Sequence, residues 1–486
     1  MKTHINILAQ FLLGVVLAPM FATLAIGAER PNILFLLTDD QASWAIGRAD
    51  PLGQAITPNM DRLAQRGAYL PNAYTVTPVC SPSRASTMTS RYGSELRITD
   101  WLHPSSEAKR GLDHQFPVWP RLLQQAGYRT GLVGKWHLGL PDEYHPTTFG
   151  FDYFMGHRHG GFKTVEPDLE KNGEYQKFRG LTADILADHA IEFLRNSQSA
   201  NEDQPFLLCW HTRAPHTTWL PVAEEDWAPY QDLDPKLPHP NYPNLQVDRA
   251  KRMTREYLAS VRSVDRNLGR VLATLDELNL TDKTVVIFSS DHGYNMGHNG
   301  IWHKGNGHWL VNPPPPATDN IPKGQRPNMY DTSIKVPTIV VWPGVVERGS
   351  TVAQTVSNLD WFPTICSIAG VSISDDTLVR GRDFSPLLRG KKPTDWNNDY
   401  YGEYSTKHQS HTQMRMFSDG KHKLIRDFLN PNRDELYDLV ADPGETTNRI
   451  ADSQYDAIER RLHAEIVNRM RANSDPVLAT IEPNAN

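Results

Sequence analysis

Cysteine is scarce, with three in 486 residues. That odd number excludes a disulfide-built scaffold and allows at most one bridge and a remainder. Clusters of one charge sign are missing as well: 50 Lys and Arg are interspersed among 56 Asp and Glu, for a formal charge of −6. Without a basic block to release counterions from a polyanion, nucleic acid is set aside as a partner. Beyond residue 28 no apolar run approaches the ~20 residues that span a bilayer, so stable membrane insertion is not expected. Internal repeats are absent too. What is present is length enough for two or three domains at ~150 residues each, and 39% apolar residues, 22% charged residues and 36 prolines. These values describe a loop-rich globular chain rather than a disordered or fibrous one.

The first residues point to export. Lys2 and His4 precede an apolar run from Ile5 to Ile26, and the small residues Ala25, Gly27 and Ala28 stand where a signal peptidase cuts. Residues 1–28 are read as a signal peptide, with a mature chain beginning near Glu29 in the periplasm or outside the cell. An uncleaved anchor is the alternative; Pro19 and the small-residue exit favour cleavage.

Four apolar runs share one pattern. Ile33 to Leu37 leads into Asp39-Asp40, Thr130 to Val133 into Lys135 and His137, Phe206 to Trp210 into His211 and His216, and Val285 to Phe288 into Asp291-His292. Each reads as a strand buried on both faces and followed by reactive side chains. Such strands, separated by helical patterns, predict an α/β fold with a large, mostly parallel sheet flanked by helices, whose ligands gather outside the carboxyl ends of the strands. Helices are expected from Thr57-Pro58 to Gly67, from Val118 to Gln125, and over residues 254–278, where Tyr257, Val261, Val264, Leu268, Val271 and Leu275 keep a three-and-four spacing. From about Ser372 the texture changes to short strands, acidic turns and a helical segment near Asp456 to Arg471. The expected division is a catalytic domain over 29–371 and a smaller C-terminal α+β subdomain over 372–486. Gly305 to Asn328, with four consecutive prolines, reads as a long loop beside the site.

Two cysteines, Cys209 and Cys366, lie in apolar runs and read as small buried hydrophobes. Cys80 lies instead in a polar, proline-punctuated segment that becomes helix-compatible, with Arg84 four residues on, which is an activating, electropositive setting. Three carboxylates gathered from Asp39-Asp40 and Asp291-His292 would repel one another unless a cation lay among them. Oxygen ligands suit Ca²⁺ or Mg²⁺, and the imidazole leaves Mn²⁺ open. Arg84, Lys135 and Lys304 then leave a positive surplus that suits an anionic substrate group.

The segment Cys80-Ser81-Pro82-Ser83-Arg84-Ala85 resembles the Cys-x-Pro-x-Arg signature of the type I sulfatases, of the alkaline-phosphatase-like superfamily. Pro31-Asn32-Ile33-Leu34-Phe35, the Thr57-Pro58-Asn59-Met60 helix, Gly134-Lys135-Trp136-His137-Leu138-Gly139, Ala214-Pro215-His216, Ser290-Asp291-His292-Gly293 and Lys304 extend the similarity over most of the chain. The resemblance implies that a formylglycine-generating or other sulfatase-maturing enzyme oxidises Cys80 before folding. It further implies that Asp39, Asp40, Asp291, His292 and the converted Cys80 hold calcium, and that Arg84, Lys135, His137, His216 and Lys304 complete the sulfate site. One hydroxyl of the aldehyde hydrate attacks sulfur and the other later expels sulfate.

Departures from the family pattern, Gly297-His298-Asn299-Gly300 and Ser90-Arg91-Tyr92-Gly93, bear on the substrate pocket. Arg97, Trp101, His157, Arg158, His159, His303, His308, Trp309 and His411 are candidate substrate contacts, since His-rich and Trp-containing loops suit sugar faces and anionic groups. The expectation is an exported hydrolase of sulfate esters on a saccharide. Two alternatives stay open: a phosphate or phosphonate ester hydrolase on the same architecture, and a non-catalytic saccharide-binding protein should Cys80 remain a thiol.

Overall fold

Along the strand Asn32–Thr38 every residue is buried, and successive side chains enter opposite layers of the molecule. Leu34 and Leu36 pack with Val133, Leu208, Trp210 and Phe288 beneath the helices Thr182–Ala200 and Val247–Glu277. Ile33 and Phe35 pack with Leu132, Leu207, Cys209 and Ile287 beneath the helices Trp119–Gln125 and Trp361–Ala369. A strand covered on both faces must be apolar at every position, which is why these runs show no alternation in sequence. The computed structural model describes residues 30–171 and 173–481; the signal-peptide reading lies outside the described residues.

Among the described residues the large sheet has ten strands. Asn32–Thr38 sits between Thr284–Ser290 and Phe206–His211, followed by Arg129–Lys135 and Tyr153–His157, all parallel. Antiparallel strands flank this core: Ile339–Val341 on one side, Asp168–Lys171 and Glu174–Lys177 on the other. The fold is therefore the mixed, mostly parallel α/β architecture expected. The four predicted strands are present. The predicted helices appear as Pro58–Arg66, Trp119–Gln125, Val247–Glu277 and Asp456–Ala472. The third begins before residue 254 because Ala250 and Met253 continue its buried stripe.

A four-stranded antiparallel sheet, Tyr400–Tyr404, Met414–Ser418, His422–Asp427 and Glu435–Asp438, packs against Asp456–Ala472 around Met416, Leu424, Leu462 and Ile466. From Pro31 onward the described residues form one compact unit. Phe384 and Leu387, beyond residue 371, belong to the apolar layer under the main sheet. Buried polar contacts also tie the small sheet to the rest. Glu403 accepts from the Ser94 hydroxyl at 2.9 Å, and the Lys423 ammonium pairs with Asp331 at 2.9 Å and Glu445 at 2.6 Å. The Gly305 to Asn328 segment differs from the expected loop, since Asn306–Trp309 pairs antiparallel with Gln325–Pro327. Polar side chains there hide the pairing, which runs through the backbone and needs no apolar periodicity.

Candidate active site

Strand ends deliver the reactive groups. Thr38 and Ser290 stand opposite each other at the last rung of adjacent parallel strands, so Asp39-Asp40 and Asp291-His292 emerge side by side. The amide of Asp40 donates to Asp291 Oδ1 at 3.1 Å. Asp40 takes the left-handed conformation (φ 71°), which Asp tolerates better than most residues. Tyr257, on the long helix, donates its hydroxyl to the Asp40 carbonyl at 2.8 Å.

Cys80 opens the helix Cys80–Thr89, all of whose residues are buried. Its Sγ lies 3.0 Å from Lys304 Nζ, 3.4 Å from His292 Nε2 and 3.6 Å from Asp39 Oδ1. One turn on, Arg84 donates through Nε to Asp291 Oδ2 at 2.9 Å and through its terminal nitrogen to the Lys135 carbonyl at 3.1 Å. Lys135 Nζ pairs with Asp39 Oδ2 and Lys304 Nζ with Asp40 Oδ1, both at 2.7 Å. Breaking a buried ion pair by removing one partner costs ~3–5 kcal/mol, so these cations support the fold as well as the site.

Burial raises the Cys80 thiol, but Lys135 and Lys304 outweigh it and bring the group to about 5. Asp40 is pushed up to about 7 by burial, which exceeds the relief from Lys304. Burial alone would lower His292; the facing carboxylates, Asp291 foremost, raise it to about 9. His137 and His216 both fall well below the usual imidazole range through burial, reinforced by neighbouring cations.

The donor set fits a divalent cation. Ligand atoms of Asp39, Asp40, Cys80 and His292 all lie within 4.8 Å of one another, and Asp291 Oδ1 is 3.3 Å from His292 Nε2. Asp40 Oδ2 is buried without a hydrogen-bond partner. His292 Nδ1 lies 3.0 Å from the Gly293 carbonyl. That carbonyl can only accept, so Nδ1 carries hydrogen and Nε2 directs its other valence at the Asp40 and Asp291 oxygens. Such an arrangement calls for a proton or a cation between them.

His137 stands beside this cluster with Nε2 3.3 Å from the Leu102 carbonyl and a buried, unpartnered Nδ1. By the same reasoning Nε2 bears the hydrogen and Nδ1 the lone pair, the form of a general base. A Cβ on Gly160 would lie 2.2 Å from the His137 ring. Gly160→Ala should therefore displace the imidazole and lower kcat by about 10–100-fold with little change in melting temperature; steady-state kinetics with a thermal melt checks this. His216 is held by Nδ1 at 2.6 Å from the Thr217 carbonyl and lies within electrostatic reach of Asp39, Lys304 and Lys135.

Among the candidate substrate contacts, His159 has its ring 6.3 Å from His137, and His303 adjoins Lys304 with Nδ1 2.7 Å from Asn306 Oδ1. Trp101 precedes Leu102, whose amide donates to Ser81 Oγ at 2.9 Å, and Arg97 is exposed on the same loop. Others are engaged elsewhere. Arg158 is bound to Glu170 and Asp142, each at 2.7 Å. His157 stacks on Phe162 at 5.0 Å. His308 packs on Trp302, and Trp309 lies under Arg326. His411 is exposed, its amide donating to the Asn320 carbonyl at 2.8 Å.

His211 follows one of the predicted strands, whereas the supporting residues Arg213 and Asn358 carry no signal in sequence beyond polarity within an apolar context. His211 Nδ1 meets the Lys135 carbonyl at 3.2 Å, Arg213 donates to the carbonyls of His216, Thr217 and Thr218, and Asn358 Nδ2 donates to the Ser83 carbonyl at 2.9 Å. Gly134 is required by contact: a Cβ there would lie 1.8 Å from the His211 carbonyl oxygen, at φ 119°. A separate cavity of about 530 Å³, between Trp44, Pro238 and Met296, shares none of the catalytic candidates.

A family model described as Sulfatase matches residues 31–371, and one described as N-sulphoglucosamine sulphohydrolase, C-terminal, matches residues 325–472. The chain is 28% identical to an N-acetylglucosamine-6-O-sulfatase of Bacteroides thetaiotaomicron, over 89% of this chain and 85% of the relative. It is 29% identical to an N-acetylgalactosamine-6-sulfatase of Canis lupus familiaris, over 78% and 70%. A solved structure of a protein in complex with its substrate D-glucosamine-2-N,6-O-disulfate superposes with a TM-score of 0.77 at 25% identity, covering 92% of this chain and 99% of that one. With 31–371 matched and the Cys80–Arg84 segment folded against three converging strand ends, the chain belongs to the sulfatase family, enzymes that hydrolyse sulfuric esters.

Proposed function

We propose that this chain is an exported sulfatase that removes sulfate from a sulfated saccharide, using formylglycine formed from Cys80 and a calcium ion. The observation that carries the reading is the position of Cys80 Sγ, in contact with Lys304, His292 and Asp39 inside one buried cluster. The saccharide is supported by the relatives named for sulfated amino sugars. Asp39, Asp40, Asp291, His292 and the converted Cys80 would hold the ion. Bound there, the ion would supply a Lewis acid, and the aldehyde hydrate would supply one hydroxyl as nucleophile and a second whose deprotonation re-forms the carbonyl and releases sulfate.

The chain's own groups do the rest. Arg84, Lys135 and Lys304 hold fixed positive charge where the sulfuryl oxygens gain negative charge in the transition state. His137 accepts at Nδ1 the proton released as sulfate is expelled. His216, whose Nδ1 is held by the Thr217 carbonyl, delivers a proton from Nε2 to the leaving alcohol with help from Lys304. The charge of the bound ester raises the affinity of that nitrogen for a proton.

Because an alkoxide needs protonation and an activated phenolate does not, His216→Ala should lower kcat/KM on a sugar sulfate by ~10²–10⁴-fold and far less on 4-nitrophenyl sulfate. Equal losses on the two would reject the assignment. The overall reading is tested by sulfate release from a panel of sulfated oligosaccharides, run beside matched phosphate esters, with mass spectrometry of the Cys80 peptide on the same preparation. Faster phosphate release, or a fully converted Cys80 without desulfation, would overturn it.

A further inference from the structure

A line of rings leads away from the catalytic cluster. Beyond His137 stands His159, which lies within electrostatic reach of both Lys135 and His103. The His103 ring is 4.8 Å from Trp101 and 5.4 Å from His408, and Trp101 is 4.8 Å from His408. Leu102 anchors this trio to the site, through its amide to Ser81 Oγ and its carbonyl to His137 Nε2. His408 comes from the turn after Tyr400–Tyr404, so the small sheet supplies one side of the wall.

Two carboxylates fasten that turn in place. Asp100 accepts from the Lys407 amide at 2.9 Å, while Glu107 pairs with Lys407 Nζ at 2.6 Å and with His408 Nε2 at 3.1 Å. Arg110 shares the same Glu107 carboxylate. Lys109 and Arg97 are exposed on the loop, whereas Asp100 is 2% exposed and spent on amides. One Glu107 carboxylate thus answers both Lys407 and Arg110, so with Lys109 and Arg97 exposed beside them the patch presents aromatic faces together with a surplus of positive charge, beside a site that receives a sulfate ester. A Trp face offers flat apolar area to a sugar ring, and fixed cations select acidic substituents.

We propose that Trp101, His103 and Lys407 form a second sugar subsite, which holds an acidic residue adjoining the sugar whose sulfate ester is cleaved. The substrate is then an oligosaccharide bearing further sulfate or carboxylate groups, not an isolated sugar sulfate. This rests on the sulfatase reading above.

The test uses the full-length matured protein with a heparin-derived tetrasaccharide and with glucosamine 6-sulfate. Lys407→Gln and His103→Ala should lower the ratio of kcat/KM for the tetrasaccharide to that for the monosaccharide by about tenfold, with folding checked by thermal melting. An unchanged ratio overturns the subsite while leaving the sulfatase reading intact. Calorimetric titration of Cys80→Ala protein with the same tetrasaccharide is independent of turnover. Lys407→Gln in that background should weaken binding by about tenfold and reduce its salt dependence. No binding, or binding indifferent to Lys407, rejects the subsite. Lys407-dependent binding by a matured protein that cleaves no sulfate ester upholds the subsite and rejects the sulfatase reading instead.

Discussion

Cys80→Ala should abolish sulfate ester hydrolysis, with a loss of at least about 10⁴-fold in kcat. On the proposed mechanism the substitution removes the thiol that conversion to formylglycine requires, so no hydrate can form, while leaving Arg84, Lys135 and Lys304 in place for the anion. Affinity for a sulfated ligand should therefore survive in the inactive variant. Cys80→Ser keeps a hydroxyl of similar size at the same place, so a comparable loss there would assign the chemistry to the oxidised carbon rather than to any oxygen. Cys209→Ala, in the apolar layer under the sheet, is the control: it costs packing and leaves turnover per folded molecule unchanged. Sulfate release by Cys80→Ala above about 1% of the parent rate would refute the role.

Chelation should produce the second large effect. Asp40 and Asp291 lie 3.2 and 3.3 Å from His292 Nε2 with Asp39 in the same cluster, and the three nearby cations are each already bound to one of these carboxylates. Protein dialysed against EDTA should lose turnover entirely and recover it with Ca²⁺ ahead of Mg²⁺ or Mn²⁺. An ion present at 100 times its Kd adds about 2.7 kcal/mol, so its removal should lower Tm by roughly 2–4 °C in a chain of this size. Full activity in the ion-free protein would remove the metal from the mechanism.

Much of the site was legible because buried parallel strands advertise themselves. A run such as Ile33 to Leu37 has no polar face, and the residues that follow it point into the crevice where neighbouring strands end. Asp39, Lys135 and Asp291 could be found by that rule alone, and the Cys80 segment by its polarity and its later arginine. The antiparallel strands Asp168–Lys171 and Glu174–Lys177 were not legible, since Glu174 to Lys177 is exposed throughout and backbone pairing leaves no apolar pattern. The pocket rim was harder still. Arg158 and Trp101 are both cations or rings on polar loops, yet Arg158 is spent on Glu170 and Asp142 while Trp101 meets His408, 307 residues away. Contacts across that distance have no period in the chain.

The pairing of Thr38 with Ser290 at the last rung makes activity a measure of alignment. A slip of one residue between those strands would move Asp39-Asp40 and Asp291-His292 about 3.3 Å relative to each other and turn their side chains to opposite faces. No partly competent arrangement lies between. In a refolded or aged preparation, turnover per milligram therefore serves as a census of molecules whose central ladder closed correctly, and loss of activity should appear as fewer working copies rather than as slower ones.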